Sequence, residues 1–219
     1  MNGLPMDWPA KSTYRLLGMM PLMPLPTEIA AGLYINGISG LTSQPKTKPR
    51  GDAYSQISGA QVTQLSAWYH GAFLPAAAVP RRPALQVTDA DPRNFLFVGN
   101  IENGVAVGIL PALGRDVHVY SDNYGGCEWH VLSSANKAAA AFLHVFKDSG
   151  ALAQYNLGGD WTQRGVLQSS AIATQVGYGS SIVSYAFVAN GSNTAECCFL
   201  VLNNQGMVTA VHQQTTINL

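Results

Sequence analysis

The sequence predicts a mainly β protein, an antiparallel sandwich or barrel of about 8–11 short strands preceded by a Pro-rich N-terminal arm with one short helix. Three observations predict it. From residue 95 onward, short runs of Val, Ile, Leu, Phe and Tyr alternate with turns built on Gly, Asn, Asp and Ser. Proline divides the chain, since ten of the twelve prolines lie at or before Pro83 and none follows Pro111. No apolar pattern of helical period persists beyond residue 70.

The arm covers residues 1–54. Met19-Met20-Pro21-Leu22-Met23-Pro24-Leu25-Pro26 alternates bulky apolar side chains with residues that fix φ and lack an amide proton. Such a segment makes neither a helix nor a central strand, and it suits an extended strap laid in a groove. Met19, Met20, Leu22, Met23 and Leu25 are therefore the candidate contact residues, on a neighbouring subunit or on the chain's own body. Near 33–38, Leu33-Tyr34-Ile35-Asn36-Gly37-Ile38 places an Asn-Gly pair between apolar residues, the pattern of a small hairpin.

Residues 55–84 read as a short helix and a linker. Ile57, Val62, Leu65, Trp68 and Tyr69 fall near helical spacing over 56–70, ahead of Gly71 and Pro75. Pro75, Pro80, Arg81, Arg82 and Pro83 then lead into the body, residues 85–219.

Three strand–turn–strand units organise the body. Phe95–Val98 leads through Glu102-Asn103-Gly104 to Val105–Ile109, and Phe142–Phe146 through Asp148-Ser149-Gly150 to Ala151–Tyr155. Cys198–Leu202 leads through Asn203-Asn204-Gln205-Gly206 to Met207–Val211. Val117–Tyr120, Glu128–Leu132, Gly165–Gln168 and Ser184–Val188 supply further strands. The roughly regular recurrence of the hairpins also fits a propeller, but no blade signature repeats at matched positions.

Composition narrows the function classes. Hydrophobic residues make up 47% and charged residues 11% of the chain, against roughly 25% charged in an ordinary domain. A disordered chain is excluded, and much of the surface has to be weakly polar, which is easily desolvated against a neighbour. Residues 1–82 carry seven basic and three acidic residues, and residues 83–219 five and nine, so a net +4 arm faces a net −4 body. Opposite charge would help the arm of one copy dock on the body of another. Lys46, Lys48 and Arg50 are too few for strong nucleic-acid binding. No basic n-region precedes an apolar h-region, and no run reaches the length of a membrane span. Folding in the cytoplasm is the expectation.

Short motifs for chemistry occur without their partners. Ser134-Ala135-Asn136-Lys137 resembles the S-x-x-K of penicillin-recognising enzymes and Ser121-Asp122-Asn123 their S-D-N, but the order is reversed and no K-T-G follows. Tyr124-Gly125-Gly126-Cys127-Glu128-Trp129-His130 resembles the G-x-C-x-W stretch of CHAP-type amidases over about five residues. That resemblance implies a helix starting at the cysteine, where this sequence reads as a strand. Cys127, Cys197 and Cys198 form no disulfide framework. The five histidines show no metal-ligand spacing, so neither metal nor cofactor is expected.

Aromatic residues beside Asn, Asp and Gly give the best candidate ligand face: Tyr124, Trp129, Trp161 and Tyr178. Loop aromatics of this kind stack on sugars, although aromatics more often plug the ends of a β core. The leading expectation is a non-enzymatic assembly subunit whose partners are other copies of itself or other subunits. A phage capsid, decoration or tail protein is the best-matched class, made in the host cytoplasm and carried in the virion. A carbohydrate-binding module comes second and a hydrolase third.

Overall fold

In the computed structural model, the described residues are strand segments between residues 34 and 74 and residues 95–219, with gaps at 112–113, 135, 137, 148–159 and 205. The segment Met19–Pro26 lies outside them, as do the turn at Ser149-Gly150 and the strand expected over 151–155.

The chain is mainly β. Its strands are β1 (Tyr34–Asn36), β2 (Tyr54–Ile57), β3 (Ala60–Gln64), β4 (Ser66–Tyr69), β5 (Ala72–Leu74), β6 (Phe95–Val98), β7 (Val105–Pro111), β8 (Val117–Ser121), β9 (Glu128–Ser134), β10 (Ala139–Val145) and β11 (Thr162–Gln168). After the single turn of helix α1 (Ser170–Ala173) come β12 (Ser181–Val188), β13 (Thr194–Leu202) and β14 (Val208–Asn218). Sheet one has the order β11-β9-β10-β7-β3-β2 and sheet two β14-β13-β12-β8-β6-β4, while β1 pairs with β5. The sheets pack as a sandwich and do not close into a barrel.

Four expectations are corrected. The helix expected over 56–70 is replaced by β2, β3 and β4. Val62, Thr63, Trp68 and Tyr69 prefer a pleated strand, and pairing with the body outweighs the weak helical spacing. Both sheets therefore reach upstream of residue 85. Tyr34–Asn36 pairs with Ala72–Leu74, far along the chain, where a local hairpin was expected at 33–38. The turn at Glu102-Asn103-Gly104 makes no hairpin, because β6 belongs to sheet two and β7 to sheet one. Its left-handed residue is Asn103, with φ 56°, and not Gly104. Nor are the sheets wholly antiparallel: β3 lies parallel to β7, and β6 parallel to β8. Each early strand reaches its partner by a crossover, which permits parallel pairing.

The hairpin at Asn203–Gly206 forms as expected. Met207 N–H donates to Asn203 Oδ1 at 2.9 Å, and Gly206 has φ 81°, a left-handed conformation that favours glycine.

The core lies between the sheets. Leu96, Val98, Val119, Trp129, Val131, Phe142, Phe199 and Val201 meet there. The residues that alternate with them are buried as well. On sheet one, Val105, Val107, Leu132, Ala141, Leu143 and Val145 form a second apolar cluster. On sheet two, Tyr120, Val183, Tyr185, Cys198, Leu200 and Leu202 are buried. Strands buried on both faces read as near-continuous apolar runs, which explains Cys197–Leu202 and, apart from His144, Phe142–Val145.

Candidate functional site

The most exposed described strands are β11 and β14, which edge the two sheets on the same side of the sandwich. Side chains of β14 meet β11 at two points. Gly165 of β11 sits against Ile217 of β14, so closely that a Cβ on Gly165 would lie 2.5 Å from Ile217 Cδ1. Further along, the Gln213 side chain reaches the β11 backbone: Oε1 accepts from Gln168 N–H at 3.1 Å and Nε2 donates to Gln168 O at 2.7 Å. Gln213 has φ 53°, a left-handed kink that turns β14 where it meets β11.

Hydrogen bonds continue inward from this seam. Gln168 Nε2 donates to Glu128 Oε1 at 3.1 Å, and Glu128 Oε2 pairs with His130 Nε2 at 2.9 Å. Burial lowers the His130 pKa, and the Glu128 carboxylate opposes that shift. A polar cleft of about 450 Å³ opens along the seam between Gln163–Val166 and Thr215–Asn218.

The exposed side chains here are uncharged apart from one. Thr162, Gln163, Gln168, Thr209, Gln213, Gln214, Thr215, Thr216 and Asn218 are the uncharged exposed residues of β11 and β14, and Arg164 is the charged one. Along its 11 residues β14 holds no Pro, Lys, Arg, Asp or Glu. Edge strands of monomeric proteins usually carry such residues to block pairing with another chain.

A second polar group is sealed between the sheets. Ser121 Oγ is 2.9 Å from His144 Nδ1, both fully buried, and the Tyr124 ring stacks on the imidazole with centroids 4.1 Å apart. On the other face of sheet two, His118 Nδ1 meets Tyr185 OH at 2.6 Å. Burial strips water from both imidazoles and lowers each pKa to about 3, so both rings are neutral at pH 7. A Ser–His contact with no exposed atom is core hydrogen bonding and offers a substrate no approach.

The cysteines are likewise enclosed. Burial raises the Cys197 thiol pKa and pushes that of Cys198 up to about 12. Cys127 is buried in a turn whose backbone is fixed by Ser169: Ser169 Oγ donates to Cys127 O at 2.7 Å and accepts from Gly126 N–H at 3.0 Å. The glycines and cysteine thus form the entry to strand β9, and no helix begins there. Ser134 is buried, and Lys137 lies outside the described residues.

The four candidate aromatics are dispersed. Tyr124 and Trp129 belong to the core and meet edge to face at 6.4 Å. Trp161, half-buried, packs on the outer cluster of sheet one. Only Tyr178 is fully exposed. Sequence reasoning did not single out Gln168, Gln213 or Arg164, whose roles depend on strand edges brought together across the fold. Among the described residues no helix is long and apolar enough to cross a membrane. Comparison with protein-family models, curated proteins and solved structures finds no match to this chain.

Proposed function

We propose that this chain is a non-enzymatic structural subunit that assembles with other copies of itself or with other subunits. A viral particle of the phage kind, as a capsid, decoration or tail protein, is the class that best accommodates a Pro-rich arm on a β-sandwich of such low charge. The observation that carries the reading is β14, a long, exposed edge strand without the charges or prolines that keep edges apart. Its Gln- and Thr-rich surface is easily desolvated, and its outer backbone groups can accept a strand from a neighbour. In this reading the arm residues Met19–Leu25 supply a second contact.

Gln214→Lys with Thr216→Lys tests the edge. Two ammonium groups on β14 should lower the mass found by native mass spectrometry towards that of a monomer, with the circular dichroism spectrum unchanged. A wild-type chain that is monomeric at micromolar concentration, or a double variant that assembles as before, would overturn the proposal.

A further inference from the structure

At one end of the sandwich, the ends of β7, β9, β10 and β12 leave a pocket of about 290 Å³. Part of its wall is hydrocarbon, from Leu110, Val188 and Leu219; Ser133, Ser134 and Arg164 make another part polar. Arg164 also lines the seam cleft, so it stands where the two spaces meet. Its Nε–H donates to Ser133 Oγ at 2.8 Å, which fixes the guanidinium to β9 and orients a planar fork of further donors.

No carboxylate side chain lines the pocket among the described residues. A second observation points the same way. Ser134 lines this pocket, is 2% exposed, and its hydroxyl has no hydrogen-bond partner among the described residues. A buried hydroxyl left unpaired carries a desolvation cost that an acceptor on a ligand would offset.

We propose that this pocket binds a short-chain organic carboxylate. Its oxygens take charge-assisted hydrogen bonds from Arg164, with a serine hydroxyl as a further donor. Its hydrocarbon chain lies against Leu110, Val188 and Leu219. The apolar wall selects the class, since an inorganic anion would gain nothing from it and an alcohol would leave the guanidinium unpaired. The site is independent of the assembly reading, because it is built within one chain.

Isothermal titration of the full-length protein with hexanoate tests it, with acetate (head without tail) and 1-hexanol (tail without head) as comparators. Hexanoate should bind saturably at one site per chain, and each comparator at least tenfold more weakly. Arg164→Gln should weaken hexanoate at least tenfold, and Val188→Phe should abolish binding by filling the pocket, with melting temperatures confirming that both variants fold. If Val188→Phe does not fold, Arg164→Gln decides alone. Absence of saturable hexanoate binding, unchanged binding in Arg164→Gln, or hexanol binding as tightly as hexanoate would each overturn the proposal.

Discussion

The side-chain amide of Gln213 holds the backbone of Gln168 by both of its atoms, accepting from the N–H at 3.1 Å and donating to the carbonyl at 2.7 Å. It does for the edge of β11 what a neighbouring strand would do. Gln213→Ala should cost about 1–2 kcal/mol for two partly solvated hydrogen bonds. Gln213→Gly loses the same bonds but relieves a left-handed φ of 53°, worth about 1 kcal/mol. Urea unfolding should therefore rank the wild type above Gly and Gly above Ala. Ala equal to or better than Gly would mean that the kink is not strained.

The second seam contact is steric. A methyl on Gly165 would meet Cδ1, Cγ1 and Cγ2 of Ile217 at 2.5, 2.9 and 3.3 Å, so more than the flexible tip has to move. Gly165→Ala should lower stability by about 1–3 kcal/mol through overpacking. Pairing it with Ile217→Ala should return part of that loss, a favourable coupling readable in a double-mutant cycle. Additive effects would show that the two residues do not press on each other.

Stability should fall in mild acid. His118 and His144 have folded pKa values of about 3 against 6.5 for an ordinary histidine. Between those values the unfolded chain binds more protons than the folded one, so folding weakens as pH drops. Each histidine's stabilisation is complete above pH 6.5 and is lost towards pH 3, with a slope of about 1.4 kcal/mol per pH unit in between. Urea midpoints measured from pH 7 to pH 4.5 should decline, and His144→Gln should make the decline shallower. A flat profile would show that neither ring is held neutral by the fold.

The arm is tested by removing residues 1–33, which takes away Met19, Met20, Leu22, Met23 and Leu25 and leaves β1 in place. Each large apolar side chain that is fully buried contributes about 1.5–3 kcal/mol. A strap between subunits predicts a truncated chain that keeps its melting temperature when dilute but sediments as a smaller species. An arm packed on its own body predicts a lower melting temperature at every concentration. Sedimentation and melting together separate the two.

Particular residues show which parts of this structure could be read from the sequence. Asn203 to Gly206 specified a hairpin because turn and strands are contiguous, so local chemistry sufficed. Asn103-Gly104 encoded a reversal equally well, but nothing local says which sheet receives the next strand, and β7 entered the other one. Over 56–70, five apolar residues gave a helical spacing while Val62, Thr63, Trp68 and Tyr69 favoured strands, and long-range pairing decided. The seam had no sequence signal, since Gln168 and Gln213 are 45 residues apart and a polar side chain reaching a strand edge leaves no periodic trace. Tyr124 and Trp129 were read as ligand aromatics from their loop-like neighbours. A turn that feeds directly into a core strand has the same letters.

β3 ends at Gln64 in sheet one and β4 begins at Ser66 in sheet two, so the chain passes between the sheets over a very short step. On that side the layers are joined by the shortest covalent step between described strands. On the opposite side the Gln213 amide and the Gly165–Ile217 contact join the edge strands β11 and β14. The sandwich is thus built like a book, with a spine between β3 and β4 and fore-edges at β11 and β14. Any breathing of the native state should open at the fore-edge first, and the earliest amides to exchange with deuterium in the two sheets should be those of Thr162–Gln168 and Gln213–Asn218.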